Sequence, residues 1–252
     1  MKKTIVIANW KMNLKPADSL QLAEEVAKQE QDWPAEVEVV VCPTFDSLKD
    51  VALKLSKTKI GLGSQNCFWE DEGAFTGEVS PKVLKELGCR YAIVGHSERR
   101  QYLGETDEMV SKKVMAALRN GLVPVICVGE TFEERKEGRK DFVIMEQTRK
   151  ALKGVKLLSD DHLIVAYEPV WVIGSGQAVL PEEAEHANRV IKQTLLDSFP
   201  LAMVDGQTRI IYGGSVNPGN VKGFTGQPTV DGILVGGASL NSATFGELIK
   251  QT

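Results

Sequence analysis

The sequence predicts the α/β class, folded as a single (β/α)8 barrel in one domain over residues 1–252. Strand-like and helix-like patterns alternate along the whole chain, and about eight such units at this length fit a closed barrel. Most of the strand candidates are short, β-branched and apolar on both faces, as parallel strands covered by helices should be. The rival architecture, a doubly wound sheet, wants a glycine-rich turn after the first strand and an acid at the end of the second. Here the first strand runs into Asn9-Trp10-Lys11-Met12-Asn13, with no glycine. No linker, low-complexity tract or strong repeat divides the chain.

The elements follow in order. Thr4–Asn9 is the first strand, and Asp18 or Ser19 can open a helix over residues 20–31. The second and third strands are residues 36–42 and 60–65. Ser80-Pro81 opens the next helix, with proline in the first turn, where a missing N–H does no harm. Tyr91–Val94 is the fourth strand. Thr106 caps a helix over residues 107–120, which Gly121 closes. Val123–Val128 and Leu163–Tyr167 are the fifth and sixth strands. Pro181 starts a long helix reaching Ser198, acidic at its beginning and basic further on. Residues 209–212 form the seventh strand, Asn217-Pro218 starts a short helix, and Gly232–Val235 is the eighth strand.

A formal net charge of -4 and a pI near 5.6 argue against nucleic-acid binding, which wants a basic face. A small anionic substrate stays open, because a few aimed N–H groups hold phosphate even on an acidic protein. Cys42, Cys67, Cys89 and Cys127 form no Cys-x-x-Cys pair, and the first, second and fourth lie in or just after apolar runs. Buried, reduced thiols are expected, and no zinc or other metal. Met1-Lys2-Lys3 leads into an apolar run of residues 4–8 only, too short for a signal-peptide core or a membrane span. The cytoplasm is the expected location, with no membrane partner.

In a (β/α)8 barrel the C-terminal strand ends build the active site. Those ends carry Asn9 and Lys11, Gln65-Asn66, Gly95-His96-Ser97-Glu98-Arg99-Arg100, Glu168, Gly213-Gly214-Ser215 and Gly236-Gly237. Glu168 ends an apolar run and is followed by proline, an aromatic, an apolar tip and glycines, the layout of an acid on a rigid strand end with a lid attached. Beside apolar lid residues its charged form is destabilised, which makes it a stronger base when water is excluded. Lys11 is by default a solvated loop lysine, or else an electrophile for a developing oxyanion. His96, one of three histidines, stands at a strand-to-helix junction, where a helix N-terminus disfavours the imidazolium. Arg99 is expected to pair with a carboxylate near the site. The glycine pairs after the seventh and eighth strands form two backbone nests for an anion.

With these residues assembled, the chain resembles the triosephosphate isomerase family end to end. The most specific pieces are residues 94–100 (Val-Gly-His-Ser-Glu-Arg-Arg), 166–171 (Ala-Tyr-Glu-Pro-Val-Trp) and 212–216 (Tyr-Gly-Gly-Ser-Val). The resemblance implies the TIM barrel and an isomerase of glycolysis and gluconeogenesis that interconverts dihydroxyacetone phosphate and D-glyceraldehyde 3-phosphate. It assigns Glu168 as the base and His96 as a neutral imidazole serving the two substrate oxygens. Lys11 adds positive charge, and Asn9 and Glu98 complete the polar shell. The phosphate is held by N–H groups at Gly174, Ser215, Gly236 and Gly237. The lid is Pro169, Val170, Trp171, Val172, Ile173, Gly174, Ser175, Gly176, Gln177, Ala178 and Val179, with Ile173 and Leu234 covering Glu168. No metal or organic cofactor is implied.

The family is a homodimer, and residues 67–79, with Phe75, Thr76, Gly77 and Glu78, match its interface loop. Thr76 would enter the neighbouring subunit near Asn9, Lys11 and His96. From the residues alone this is a glycine-containing loop with exposed aromatics, Phe68, Trp69 and Phe75. The chain departs from the family in its lid. Val172 stands where alanine is usual, Ser175 where threonine is, and Gln177-Ala178-Val179 where Lys-Thr-Ala is common. Altered lid kinetics with preserved chemistry are expected. A class I aldolase is the competing enzyme, but its chemistry needs a lysine deep in a strand, and the sixth strand offers Glu168. A catalytically silent scaffold would have lost Lys11, His96 or Glu168, and all are present.

Overall fold

The computed structural model describes residues 3–174 and 177–252. Among them, parallel strands close into a barrel in chain order: β1 (Thr4–Asn9), β2 (Val37–Cys42), β3 (Gly61–Ser64), β4 (Tyr91–Val94), β5 (Val123–Val128), β6 (Leu163–Tyr167), β7 (Thr208–Tyr212) and β8 (Gly232–Val235). The seam is β8 on β1, in register from Ile5 opposite Gly232 to Ala8 opposite Val235. The surrounding helices are α1 (Pro16–Gln29), α2 (Leu48–Leu55), α3 (Pro81–Glu86), α4 (Ser97–Leu103), α5 (Asp107–Arg119), α6 (Phe132–Lys136), α7 (Lys140–Ala151), α8 (Pro181–Ser198), α9 (Leu201–Gln207), α10 (Val221–Thr225) and α11 (Ser242–Gln251).

The period-two alternation of each strand separates two cores. Ile5, Ile7, Val40, Cys42, Ile93, Val125, Cys127, Ile164, Ala166, Ile211 and Leu234 pack together inside the barrel. Their strand neighbours Val6, Ala8, Val39, Val41, Ala92, Val94, Ile126 and Val165 pack with helix residues such as Ala23, Val26, Val51, Val114, Ile191 and Leu195. Burial on both faces is why the strands read as unbroken apolar runs. Cys42, Cys67, Cys89 and Cys127 are free and buried. Burial pushes the thiols of Cys67 and Cys89 up to about 12, so they stay protonated at neutral pH. No helix of the described residues is long and apolar enough to cross a membrane.

Two helix boundaries differ from expectation. The first helix begins at Pro16 and ends at Gln29, before a 3-10 turn at Glu30–Asp32. Proline's fixed φ suits the first turn, so it starts the helix ahead of Asp18 and Ser19. The helix after β7 begins at Val221 and not at Asn217-Pro218. Asn217 Oδ1 accepts the Gly219 N–H and Asn220 Oδ1 accepts the Asn217 N–H, a local turn that competes with helix. Elsewhere the caps behave as read: Thr106 accepts from the Met109 N–H, Ser80 accepts from the Val83 N–H, and Gly121 takes a left-handed φ of 67°.

Candidate active site

One cavity at the C-terminal end of the barrel is lined by Asn9, Lys11, His96, Glu168, Ile173, Gly174, Gly213, Gly214, Ser215, Val216, Leu234, Gly236, Gly237 and Ala238. Every residue expected to handle substrate lines it except Glu98, which acts on it through Lys11 and His96.

Glu168 directly follows β6. Its N–H bonds Val128 O at 2.7 Å, and the Gly213 N–H bonds Tyr167 O at 2.7 Å, so its backbone is pinned between β5 and β7. Two glycines make the room. A Cβ on Gly129 would lie 1.7 Å from Glu168 O, and one on Gly213 would lie 2.9 Å from Glu168 Cγ. Gly213 therefore contributes space for the carboxylate; its N–H is engaged by Tyr167 and not available to an anion, which narrows the expected nest.

The Glu168 side chain is 2% exposed. Oε2 accepts the Ser97 N–H at 2.9 Å, and Oε1 lies 3.0 Å from His96 Nε2. His96 is the N-cap of α4, where its Nδ1 accepts the Glu98 N–H at 3.3 Å. With Nδ1 accepting, the neutral ring carries its proton on Nε2, aimed at Glu168. Burial pushes the Glu168 carboxyl up, but His96 and the Ser97 N–H draw it down, and the net direction is down. Burial pushes His96 down, the Glu168 charge draws it up, and the net direction is up. In this arrangement the apolar surroundings are therefore outweighed by the partners of the carboxylate. While the two groups hold each other, the carboxylate is restrained; its basicity is released when it leaves Ser97 and His96.

Lys11 is the one non-glycine residue with positive φ among the described residues, at 52°. Its N–H bonds Asn9 Oδ1 at 3.0 Å, and its carbonyl accepts from Gln65 Nε2 at 2.8 Å. Its ammonium lies 2.6 Å from Glu98 Oε1. A strained backbone held from several sides argues against a casual surface lysine. The carboxylate partner of Arg99 is Glu105, whose other oxygen accepts the Gly95 N–H at 2.9 Å, directly before His96.

In the same cavity, the N–H groups of Ser215, Gly236 and Gly237 make no hydrogen bond within the described residues, and a Cβ on Gly236 would lie 3.5 Å from the Lys11 ammonium. They are donors without acceptors beside an ammonium, an arrangement suited to an anion. In the lid, Pro169 and Val172 are buried, and Val170, Trp171 and Ile173 are half-buried. Gly174, Gln177 and Ala178 are exposed, and Val179 is buried again. Ser175 and Gly176 lie outside the described residues. Trp171 Nε1 donates to Glu130 Oε1 at 3.0 Å, and the Tyr167 hydroxyl is 3.3 Å from the same oxygen. Arg135 stands over the indole at 4.6 Å. Sequence reasoning missed Glu130. It lies two residues past the end of β5, after Gly129, and an acid near a C-terminal strand end was the signal available.

The expected interface loop is elsewhere: Phe75, Thr76, Gly77 and Glu78 are exposed and do not line this cavity. Phe68 is 7% exposed and Trp69 half-buried, so Phe75 alone of the three aromatics projects. Phe68 stacks on Trp69 at 4.1 Å and packs on Phe75 at 4.7 Å, which buries it.

Comparison with known proteins agrees with this geometry. The triosephosphate isomerase family model matches residues 4–252. A triosephosphate isomerase of Caldanaerobacter subterraneus subsp. tengcongensis is 45% identical over 99% of this chain and 100% of its own length. One from Thermoanaerobacter sp. (strain X514) is 44% identical over the same shares, and one from Pelobacter propionicus is 44% identical over 99% of each chain. The chain belongs to the triosephosphate isomerase family.

Proposed function

We propose that this chain interconverts dihydroxyacetone phosphate and D-glyceraldehyde 3-phosphate through an enediolate, with Glu168 as the base. The observation that carries the reading is the buried Glu168–His96 pair, 3.0 Å apart, in one cavity with Lys11 and with N–H donors unpaired among the described residues. The phosphate of the three-carbon sugar rests on the N–H groups of Gly174, Ser215, Gly236 and Gly237. That places its carbonyl and hydroxyl oxygens toward His96 and Lys11. Glu168 leaves Ser97, takes the proton from C1 and returns it at C2. The His96 Nε2–H donates to the developing oxyanion and moves a proton between the two oxygens. Asn9 fixes the Lys11 backbone, and Glu98 orients its ammonium. The substrate's own carbonyl acidifies the carbon-bound proton, so the chemistry asks for no metal or organic cofactor. Residues 169–179 close as a lid; Ile173 and Leu234 exclude water from the carboxylate and keep the enediolate from expelling phosphate.

In this reading the chain is one domain and works as a homodimer in the cytoplasm, without nucleic-acid or membrane partners. Support for the dimer is the bare apolar surface of Phe75 (43% exposed) and of Met12 (93%), which follows the first strand end. The test is turnover of glyceraldehyde 3-phosphate by the purified protein, with Glu168→Gln alongside. The variant should fold as the parent does and lose at least about 10²–10⁴ in kcat. Near-normal turnover in the variant would remove Glu168 from its role, and a folded parent without turnover would overturn the reading.

A further inference from the structure

We infer that Asp71 is a positioning residue that holds the loop between β3 and α3 ready for a second copy of the chain, an inference that rests on the homodimer reading. The base of this loop is clamped to its own subunit. Asp71 Oδ1 accepts from Arg119 Nη2 at 2.9 Å and from Asn120 Nδ2 at 2.8 Å, and Oδ2 accepts from Arg119 Nε at 3.3 Å. Arg119 Nη2 also reaches Trp69 O at 3.3 Å, and the Lys112 ammonium stands 5.4 Å over the Trp69 ring. Across the loop, the Ser80 hydroxyl donates to Asp71 O at 2.5 Å, and the Phe68 N–H donates to Val79 O at 2.8 Å.

The tip is the opposite. Residues 74–78 are exposed, and the side chains of Thr76 and Glu78 make neither a hydrogen bond nor an ion pair within the described residues. The loop thus has a base tied to the end of α5 and a tip that touches its own chain through the Phe75 ring on Phe68 but leaves the side chains of Thr76 and Glu78 without partners among the described residues. Ordering such a loop before association removes an entropy cost that a slack loop would meet on binding. The side chain that collects the ties is Asp71, and its carboxyl lies below the ordinary range through the bond from Arg119.

The experiment compares the parent chain with Asp71→Ala and Arg119→Gln, measuring the dimer dissociation constant by sedimentation and the loss of turnover on dilution. Each variant should raise the dissociation constant about three- to tenfold, with kcat and KM unchanged at concentrations where dimers persist. The double variant should do less than the two single ones added together, because the Asp71–Arg119 contact is common to both while the bonds to Asn120 and Trp69 O are not. A dissociation constant within about twofold of the parent's, or a lowered melting temperature without that shift, would assign Asp71 a merely structural role and overturn the inference. A dimer indifferent to Asp71 fails this inference alone. A parent chain fully active as a monomer fails the homodimer reading and this inference with it.

Discussion

Glu105→Gln is the substitution whose magnitude the structure fixes best. The Glu105 side chain is 2% exposed, with Oε2 at 2.9 Å from the Lys113 ammonium and 2.5 Å from Arg99 Nε. Glutamine keeps the shape, and its amide oxygen can still accept the Gly95 N–H. It cannot keep the charge. Lys113, itself 3% exposed, is left with Asn66 Oδ1 at 2.8 Å as its remaining acceptor. Removing one side of a buried ion pair costs about 3–5 kcal/mol. Arg99, 28% exposed, can regain water, so the lower end, about 3 kcal/mol, is expected. Lys113→Met should cost less, roughly 1–2 kcal/mol, because Glu105 retains Arg99 and the Gly95 N–H. The double variant should cost less than the sum, since no stranded ammonium remains.

Urea unfolding at fixed protein concentration measures all three, and about 3 kcal/mol corresponds to a melting shift of roughly 6–12 °C for a chain of this size. The pH dependence has a definite sign. Burial pushes the Glu105 carboxyl up, Lys113 and Arg99 draw it down, and the net direction is down. The stabilisation is therefore complete above the ordinary carboxylate range and lost as pH falls through the lowered value, so parent and variant should converge in acid. A Glu105→Gln cost below about 1 kcal/mol, a larger cost for Lys113→Met, or strict additivity would refute this account.

Further outcomes are expected elsewhere. Gly129→Ala brings a Cβ to 1.7 Å from Glu168 O, so the strand end must shift; stability should fall by about 1–3 kcal/mol and kcat by about tenfold or more. Unchanged kcat there would mean that this contact does not set the Glu168 position. Phe75→Glu or Thr76→Asp should weaken the dimer and its activity together, read by sedimentation and turnover; a fully active monomer contradicts the interface role. Val172 is fully buried at the root of the lid, and alanine removes two methyl groups worth about 0.8 kcal/mol each. Val172→Ala with Ser175→Thr should therefore change kcat or KM a few-fold, and kinetics identical to the parent's would disprove altered lid behaviour.

What the sequence made legible was whatever depends on local period and punctuation. The eight strand candidates match β1–β8 to within a residue or so at each end, because a strand buried on both faces leaves an unbroken β-branched run. Helices with weaker marks went unnamed. α7 buries only Val143, Ile144, Thr148 and Ala151 while its apolar Phe142 and Met145 are exposed, which blurs the helical period, and α6 is five residues long. The start of α6 was nonetheless readable: Thr131 and Glu134 exchange the two bonds of a capping box, a Thr-x-x-Glu pattern. Contacts between distant segments left no local trace. Nothing near Asp71 announces Arg119, 48 positions along the chain, and nothing near Asn66 announces Lys113, 47 positions along it.

Glu130 and Glu168 show where sequence ceases to decide chemistry. Both lie within two residues of the end of a barrel strand and next to a glycine or proline, and both are buried, at 0% and 2% exposure. By position alone they are equivalent candidates for a base. Their partners separate them. Glu130 meets two neutral donors, the Trp171 N–H and the Tyr167 hydroxyl, with the Arg135 guanidinium no closer than 3.8 Å; burial outweighs these and its carboxyl moves up, toward the protonated form. Glu168 meets the His96 ring and the Ser97 N–H, and its carboxyl moves down. One acid is set to hold an indole at the root of the lid, and the other is kept ionised beside an imidazole that can trade protons with a substrate. The difference is made by residues 41 positions along the chain for Glu130 and 71 for Glu168. A base is therefore recognised here by its partners across the barrel, which only the closed fold brings together.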